Sequence, residues 1–403
     1  MFEYGMIKFL TMSDMNLMHR RVLIREDLNV PMEAGKIMND EKIVRALPTI
    51  EQALEAQARV IVLSHLGRPE EGKYDAAFSL MPVAEVLSKK LNRPVPRVKN
   101  WLDGVNIEPG SVVLCENVRF NRGENENDHE LAKQMAKLCD VFVMDAFATA
   151  HRCQASTVGA AQYAPIACAG PLLIAEIKAL SQALKNPKKP LVVIVGGSKV
   201  STKIQLLEHL LDKIDQLVIG GGIANTFLKA QGYAIGKSFY ENTWLETAKQ
   251  FWKKAKEKNV SVSLPIDVVL AKDALKDIKL RVTSIGAITE HESIFDVGPK
   301  TRNGYTKLTS QAGTIVWNGP VGVFEIPAFS HGTYALAKAI AKSEKTYSIA
   351  GGGDTLAALD KFDLTDQLSY ISTAGGAFLE FLKGKLLPAI EILIERAKYH
   401  EQK

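Results

Sequence analysis

The chain is poor in cysteine, in long apolar runs and in excess charge of either sign, and each shortage removes a class of protein. Only four cysteines occur in 403 residues, Cys115, Cys139, Cys153 and Cys168, and none forms a C-x-x-C pair. That argues against a zinc site or a disulfide framework and predicts buried, reduced thiols in a cytoplasmic protein. No stretch approaches the roughly 18 apolar residues of a spanning helix. The N-terminus soon meets Lys8 and Asp14 and has neither the apolar core nor the cleavage pattern of a signal peptide, so export is not expected. Met6, Met12 and Met15 leave the start codon open, and residues 1–20 have no assigned purpose. The formal net charge of +5 suits a small polyanion and gives no reason to invoke nucleic acid or a membrane.

What is present fits a globular enzyme. The length is about twice that of one domain, and 46% hydrophobic with 24% charged residues is enough for real cores. Short apolar, β-branched runs recur at Val22–Arg25, Arg59–Ser64, Ser111–Glu116, Asp140–Phe147, Leu191–Val195, Gln216–Ile219, Thr314–Trp317, Thr346–Ala350 and Gln367–Ser372. Amphipathic stretches between them, such as Glu41–Gln57 and Thr202–Leu211, read as helices. Unbroken apolar strands alternating with helices predict an α/β fold with parallel sheets covered on both faces. Strand ends in the first half carry Arg and His; those in the second half carry glycine clusters and Lys. The change predicts two doubly wound domains with two ligands, residues 1–170 and 190–385. Residues 171–189, with a helix over Ala175–Lys185 and a proline-rich exit, form the connection.

The chemistry collects where open α/β sheets bind ligands, at the carboxyl ends of strands. Arg25, His65, Arg68, Arg119, His151 and Arg152 each end or follow a predicted strand. Guanidinium groups grip carboxylate and phosphate through paired hydrogen bonds, and Asp27 and Asn29 beside them offer partners for a hydroxyl. Any one of these arginines is more often a structural ion pair; six basic residues on one rim reverse the balance. Gly196-Gly197-Ser198-Lys199-Val200-Ser201-Thr202-Lys203 leads from a strand towards a helix, an arrangement suited to phosphate, with Lys199 and Lys203 one helical turn apart. It is not a Walker A sequence, and Gly220-Gly221-Gly222 is not a dinucleotide fingerprint, which counts against a dehydrogenase. Gly351-Gly352-Gly353-Asp354-Thr355 offers a hard oxygen ligand for magnesium at Asp354, which reads equally as an N-cap aspartate. In Trp317-Asn-Gly-Pro-Val-Gly-Val-Phe-Glu325, turn chemistry explains the glycines, and Glu325 suits ribose hydroxyls. No acid–base or nucleophilic apparatus stands out, and direct phosphoryl transfer needs none.

Together these segments, with Ser64-His-Leu-Gly-Arg-Pro69, Glu116-Asn-Val-Arg-Phe120 and Asp145-Ala-Phe-Ala-Thr-Ala-His-Arg152, resemble the phosphoglycerate kinase family from about Arg21 to the C-terminus. The resemblance implies that Asp27, Leu28, Asn29, Lys42, His65, Leu66, Gly67, Arg68, Arg119 and Arg152 surround 3-phosphoglycerate. It implies ADP or ATP at Gly197, Lys203, Glu325, Gly351, Gly352, Gly353, Asp354 and Thr355, with Mg2+ at Asp354. Lys199, Lys42, Gly352 and Gly375 would carry the transfer. It also implies a monomer, a cleft closed by a hinge, and a segment 386–403 that returns to the first domain. Three positions depart from the family pattern: Lys42 stands for a catalytic arginine, Ala374 for a glycine in Ser372-Thr-Ala-Gly-Gly376, and Ala148 for another glycine. Lysine keeps the charge and loses the two-pronged geometry. Lys42 therefore supports one alternative, a catalytically impaired ligand-binding homologue.

Overall fold

A computed structural model describes residues 2–4, 7–274 and 279–401. Two compact units divide the chain: Met1–Lys178 with Leu386–Lys403, and Ala179–Lys385. The first unit holds a six-stranded parallel sheet of β1 (Arg21–Arg25), β2 (Arg59–Leu63), β3 (Arg97–Val98), β4 (Val112–Cys115), β5 (Val141–Met144) and β6 (Ile166–Ala169). Its spatial order is β6-β5-β1-β2-β4-β3. The second unit repeats the plan with β7 (Leu191–Val195), β8 (Gln216–Ile219), β9 (Ser261–Ser263), β10 (Thr314–Asn318), β11 (Tyr347–Gly351) and β12 (Tyr370–Ser372). Here the order is β9-β8-β7-β10-β11-β12. In each sheet the chain starts at a central strand, winds to one side, then crosses to the other. The strand order therefore reverses between β1 and β5 and between β7 and β10, and a crevice opens there at the carboxyl ends. Both sheets are Rossmann-like.

The sequence dictates these strands through burial on both faces. Val22, Leu23 and Ile24 are fully buried, as are Leu191, Val192, Ile194 and Val195, so no polar alternation survives. Helix α1 (Glu41–Glu55) supplies part of the cover for the first sheet, burying Ile43, Ala46, Ile50, Ala53 and Leu54 at three- and four-residue spacing. Emptying one such site, as in Ile50→Ala, removes roughly 2–5 kcal/mol.

The division between units falls after Lys178, inside helix α2 (Pro171–Lys185) and within the 171–189 stretch expected to connect them. Two expectations are adjusted. Cys115, Cys139 and Cys168 are buried free thiols, whereas Cys153 is at the surface. The second unit also contains an antiparallel sheet, with Asp267–Ala271 between Arg281–Ser284 and Ser293–Val297, where no sheet was predicted. Its outer strands are half-exposed and lack the unbroken apolar runs that betray the parallel sheets.

The helix Pro388–Glu401 packs in the first unit against Ile7–Phe9, β6 and Ala160–Tyr163. Ala389 N–H donates to Ala150 O (3.1 Å) and Arg396 Nη2 to Ala164 O (2.8 Å). Among the described residues, no helix is long and apolar enough to cross a membrane.

Candidate functional site

In the first unit the rim is built from the ends of four neighbouring strands. Behind β1 the chain stays pinned to β2, because Glu26 N–H donates to Leu63 O (2.9 Å) and Leu28 N–H to Ser64 Oγ (2.8 Å). Asn29 reaches the turn after β2, where its Oδ1 accepts from Gly67 N–H (2.8 Å). Lys42 Nζ donates to Asp27 Oδ2 (2.6 Å), so α1 delivers its cation to the Asp27 loop. Burial pushes the Asp27 carboxyl up, but the Lys42 ammonium and the hydrogen bonds from Lys42 and the Asn29 N–H outweigh it and hold the group below its ordinary value.

His65 Nδ1 lies 3.3 Å from Arg25 Nη2. A guanidinium only donates, so Nδ1 accepts and the imidazole proton sits on Nε2. Burial, then the charge of Arg25, keeps this histidine neutral, well below its ordinary pKa; Arg119 and Arg152 add to the effect, and Asp27 opposes it. Arg119 is buried and donates through Nη1 to Gly67 O. Burial, then Arg152, Arg25 and Arg68, push its guanidinium down to about 10. These arginines repel one another in partial shelter from water, which an anion would relieve.

Arg25 itself lies behind the rim and not on it. It is fully buried, donates to Ser156 Oγ (2.9 Å) and has Glu124 as the strongest opposing charge. Ser156 in turn donates to Glu124 through its hydroxyl (2.5 Å) and its N–H (2.9 Å). Burial pushes the Glu124 carboxyl up to about 7 despite Arg25. Arg68 is exposed, and half-buried Arg152 donates through Nε to His151 Nε2 (3.3 Å). Asp27, Asn29, His65, Leu66, Gly67, Arg68, Arg119 and Arg152 thus meet at one sheet end, with Leu28 buried beneath them.

The second unit uses backbone where the first uses side chains. The turns after β7 and β10 touch: Gly197 N–H donates to Pro320 O (2.9 Å), and a Cβ on Gly196 would lie 2.0 Å from Pro320 O. No side chain fits there. Lys203 Nζ enters this seam and donates to Gly196 O (2.7 Å) and Asn318 O (3.0 Å). Burial pushes its ammonium down to about 8, with Asp354 opposing. Thr355 Oγ1 accepts from Gly319 N–H (2.7 Å) and donates to Gly351 O (3.0 Å), tying the β10 turn to the β11 turn. Gly352, with φ near 100°, is the N-cap of Gly353–Lys361. Asp354 therefore lies in the first helical turn, exposed, and is not the N-cap.

Lys199 and Lys203 do not share a helical turn, because the helix begins only at Ile204. Glu241 accepts from both the N–H (2.8 Å) and the hydroxyl (2.6 Å) of Ser201, which holds the preceding segment in an irregular path. Lys199 is exposed on that path. Gly375 opens the helix Gly375–Leu382 with room around its Cα. Ala374 is its N-cap at φ −95°, which any residue adopts, so its methyl adds no backbone strain.

A cavity of about 450 Å³ joins these parts, and its wall includes Gly197, Glu325 and Asp354. It also includes Gly221, Gly222, Asn225, Phe239 and Phe295, which the sequence reading did not assign. The signal was the Gly220-Gly221-Gly222 triple after β8, set aside because it matches no fingerprint. The aromatic wall carried no signal, because it comes from separate loops.

Comparison with known proteins gives the family of the chain. The family model described as phosphoglycerate kinase matches residues 12–385. The chain is 70% identical over 392 residues to a phosphoglycerate kinase of Coxiella burnetii (strain RSA 493 / Nine Mile phase I), covering 97% of this chain and 100% of that one. It is 58% identical over 393 residues to one of Legionella pneumophila (strain Paris), covering 98% and 99%. A solved structure of phosphoglycerate kinase from Coxiella burnetii superposes with a TM-score of 0.92 at 70% identity, covering 97% of this chain and 100% of that one. One from Pyrococcus horikoshii OT3 gives 0.80 at 31%, covering 97% and 99%.

Proposed function

The chain belongs to the phosphoglycerate kinase family, and from that premise we infer how its own residues move a phosphoryl group between 1,3-bisphosphoglycerate and ADP. The observation that carries the reading is that one unit bears a sheltered arginine cluster and the other a glycine-and-lysine rim, each where the strand order of its own sheet reverses. The alternative of an impaired binding homologue finds no support in relatives this similar.

Arg68, Arg119 and Arg152 hold the carboxylate and phosphate of the triose, and neutral His65 donates from Nε2. Asp27 and Asn29 orient the hydroxyl, while the backbone around Leu28, Leu66 and Gly67 shapes the floor. Lys203 shifts from its carbonyl partners to nucleotide phosphate. Glu325 takes the ribose, and the Gly351–Thr355 turn lies against the phosphates. Gly352 and Gly375 present backbone N–H groups, while Gly197, whose own N–H is held by Pro320 O, leaves the approach free of a side chain. Lys199, on its irregular segment, neutralises the moving group together with Lys42. The reaction is in-line, reversible and without a covalent intermediate, and water is excluded during transfer because it would compete for the acyl phosphate.

Asp354 is an exposed carboxylate on the cavity wall, and no group of three or more His, Cys, Asp or Glu forms a metal cage among the described residues. One carboxylate completed by phosphate oxygens suits Mg2+, which would supply charge neutralisation on the phosphates. A cytoplasmic monomer is the state proposed.

The test is ATP consumption by the purified protein with magnesium and 3-phosphoglycerate, coupled to reduction of the acyl phosphate formed. Turnover dependent on 3-phosphoglycerate is expected. Binding of both ligands without turnover would revive the impaired homologue.

A further inference from the structure

Behind the triose rim lies a pair of acids that the transfer does not use. Glu26 follows β1 and Asp145 follows β5, at the point where the strand order reverses. Asp145 N–H donates to Arg25 O (3.0 Å), which brings the two residues to one level, and both are fully buried. Asp145 spends both oxygens as acceptors. Oδ1 takes the N–H of Leu173 (2.8 Å), and Oδ2 takes the hydroxyl of Thr49. Gly170 packs on the same carboxyl so closely that a Cβ there would lie 2.4 Å from it. Among the described residues neither oxygen of the Glu26 carboxyl has a hydrogen-bond partner, and the acid beside it is Asp145.

We propose that Glu26 is a neutral positioning acid that donates its proton to the Asp145 carboxylate and so ties the Asp27–Asn29 loop to the start of helix Pro171–Lys185. The argument is one of accounting. Hydrogen bonds to a carboxylate favour its charged form, Asp145 accepts on both oxygens and Glu26 on neither, and two adjacent buried carboxylates cannot both be charged, so the proton belongs on Glu26. The titratable groups facing Glu26 are Asp145, Arg25 and Asp27; those facing Asp145 are Glu26 and the buried Cys168 thiol of β6, with the dipoles of Thr49, Leu172 and Leu173. Arg25 is the one cation among them, and its Nη1 donates to the Glu26 carbonyl. Burial, then Asp145, raises Glu26 well above its ordinary value, while burial raises Asp145 only to about 6 because its hydrogen bonds oppose the rise. The Leu173 N–H lies in the first turn of the helix that carries the chain from one unit into the other. The loop that the proposed function assigns to the triose is thereby fastened to that helix through a single proton.

The sign follows. A carboxyl whose pKa is raised by folding stabilises below its unfolded value and loses that contribution as pH rises through the folded value. Loss of the Glu26 proton at alkaline pH should therefore loosen the Leu173 amide and raise KM for 3-phosphoglycerate.

The test compares wild type with Glu26→Gln, whose amide can donate the same bond and has no proton to lose. Infrared spectra should show a protonated carboxyl band in wild type that is absent from Glu26→Gln. Hydrogen exchange at Leu173 should accelerate with alkaline pH, beyond the intrinsic rate, in wild type alone. The alkaline rise in KM, at near-constant kcat, should flatten in Glu26→Gln. Superimposable spectra and exchange profiles for the two proteins would overturn the proposal. The spectra and the exchange need no turnover, so failure of the kinase reading leaves this test standing.

Discussion

The two units share a topology and a crevice, yet they fill it with opposite materials. In the first, charged side chains from four strand ends converge and repel one another. In the second, turns approach so closely that backbone meets backbone, and one lysine closes the seam. A small triose anion has few atoms and must be recognised by directional groups on several sides. A nucleotide tail offers many oxygens along its length, which peptide N–H groups and one cation can follow. The first rim should therefore fail when charge is removed, and the second when volume is added.

Gly196→Ala should have the largest effect. Its new methyl would lie 2.0 Å from a backbone carbonyl that cannot swing aside. We expect at least about 3 kcal/mol of lost stability, a fall in Tm of roughly 6–12 °C, and nucleotide affinity lowered about 100-fold. Calorimetry with and without ATP checks this. Normal affinity would break the distinction between the units.

Arg119→Ala should behave in the opposite way. Deleting one member of a repelling cluster relieves the others, so Tm should hold or rise while KM for 3-phosphoglycerate increases about 100-fold. A large fall in Tm would mean that the bond from Arg119 to Gly67 O is structural first. Together the two variants separate affinity lost with stability from affinity lost without it.

Much of this contrast was legible beforehand, because it lies in residue types at strand ends, and strand ends in a parallel sheet converge whatever their sequence distance. Arg68, Arg119 and Arg152 could be grouped from their positions after apolar runs alone. Burial was not legible: Arg25 reads like the others but sits behind them on Ser156, a partner 131 residues away that no local pattern marks. Nor was the path of Gly196–Lys203, because Glu241 captures Ser201 from another loop. The wall formed by Phe239 and Phe295 was hidden for the same reason. What the sequence concealed was consistently the long-range partner and not the strand or the motif.

Lys203, the half-buried cation of the second rim, makes a pH prediction for the nucleotide that is separate from the one Glu26 makes for the triose. Folding lowers the Lys203 pKa to about 8 from 10.5, so between those values the unfolded chain binds more protons and stability rises with pH. Phosphate needs the charged form, so nucleotide affinity should fall about tenfold for each unit above pH 8. Isothermal titration from pH 7 to 9.5 checks it. Lys203→Met should bind weakly with no such slope. A slope that survives the substitution would assign the titration elsewhere.

Lys42 is the smallest and most discriminating case, because it departs from the family pattern on the rim that depends on side-chain charge. It bonds Asp27 at 2.6 Å, so its charge is partly committed to the loop before any substrate arrives. A lysine places its charge at a single point, and what Asp27 takes is not available to a moving phosphoryl group. Lys42→Ala should therefore lower kcat about tenfold and leave activity measurable, with Asp27 losing the cation nearest it. Lys42→Arg should recover the loss and exceed wild type no more than a few-fold, since its fork can hold Asp27 with one arm and present the other. Unchanged kcat in Lys42→Ala would confine this lysine to positioning Asp27. A kcat for Lys42→Arg far above wild type would show that the departure from arginine costs this enzyme rate.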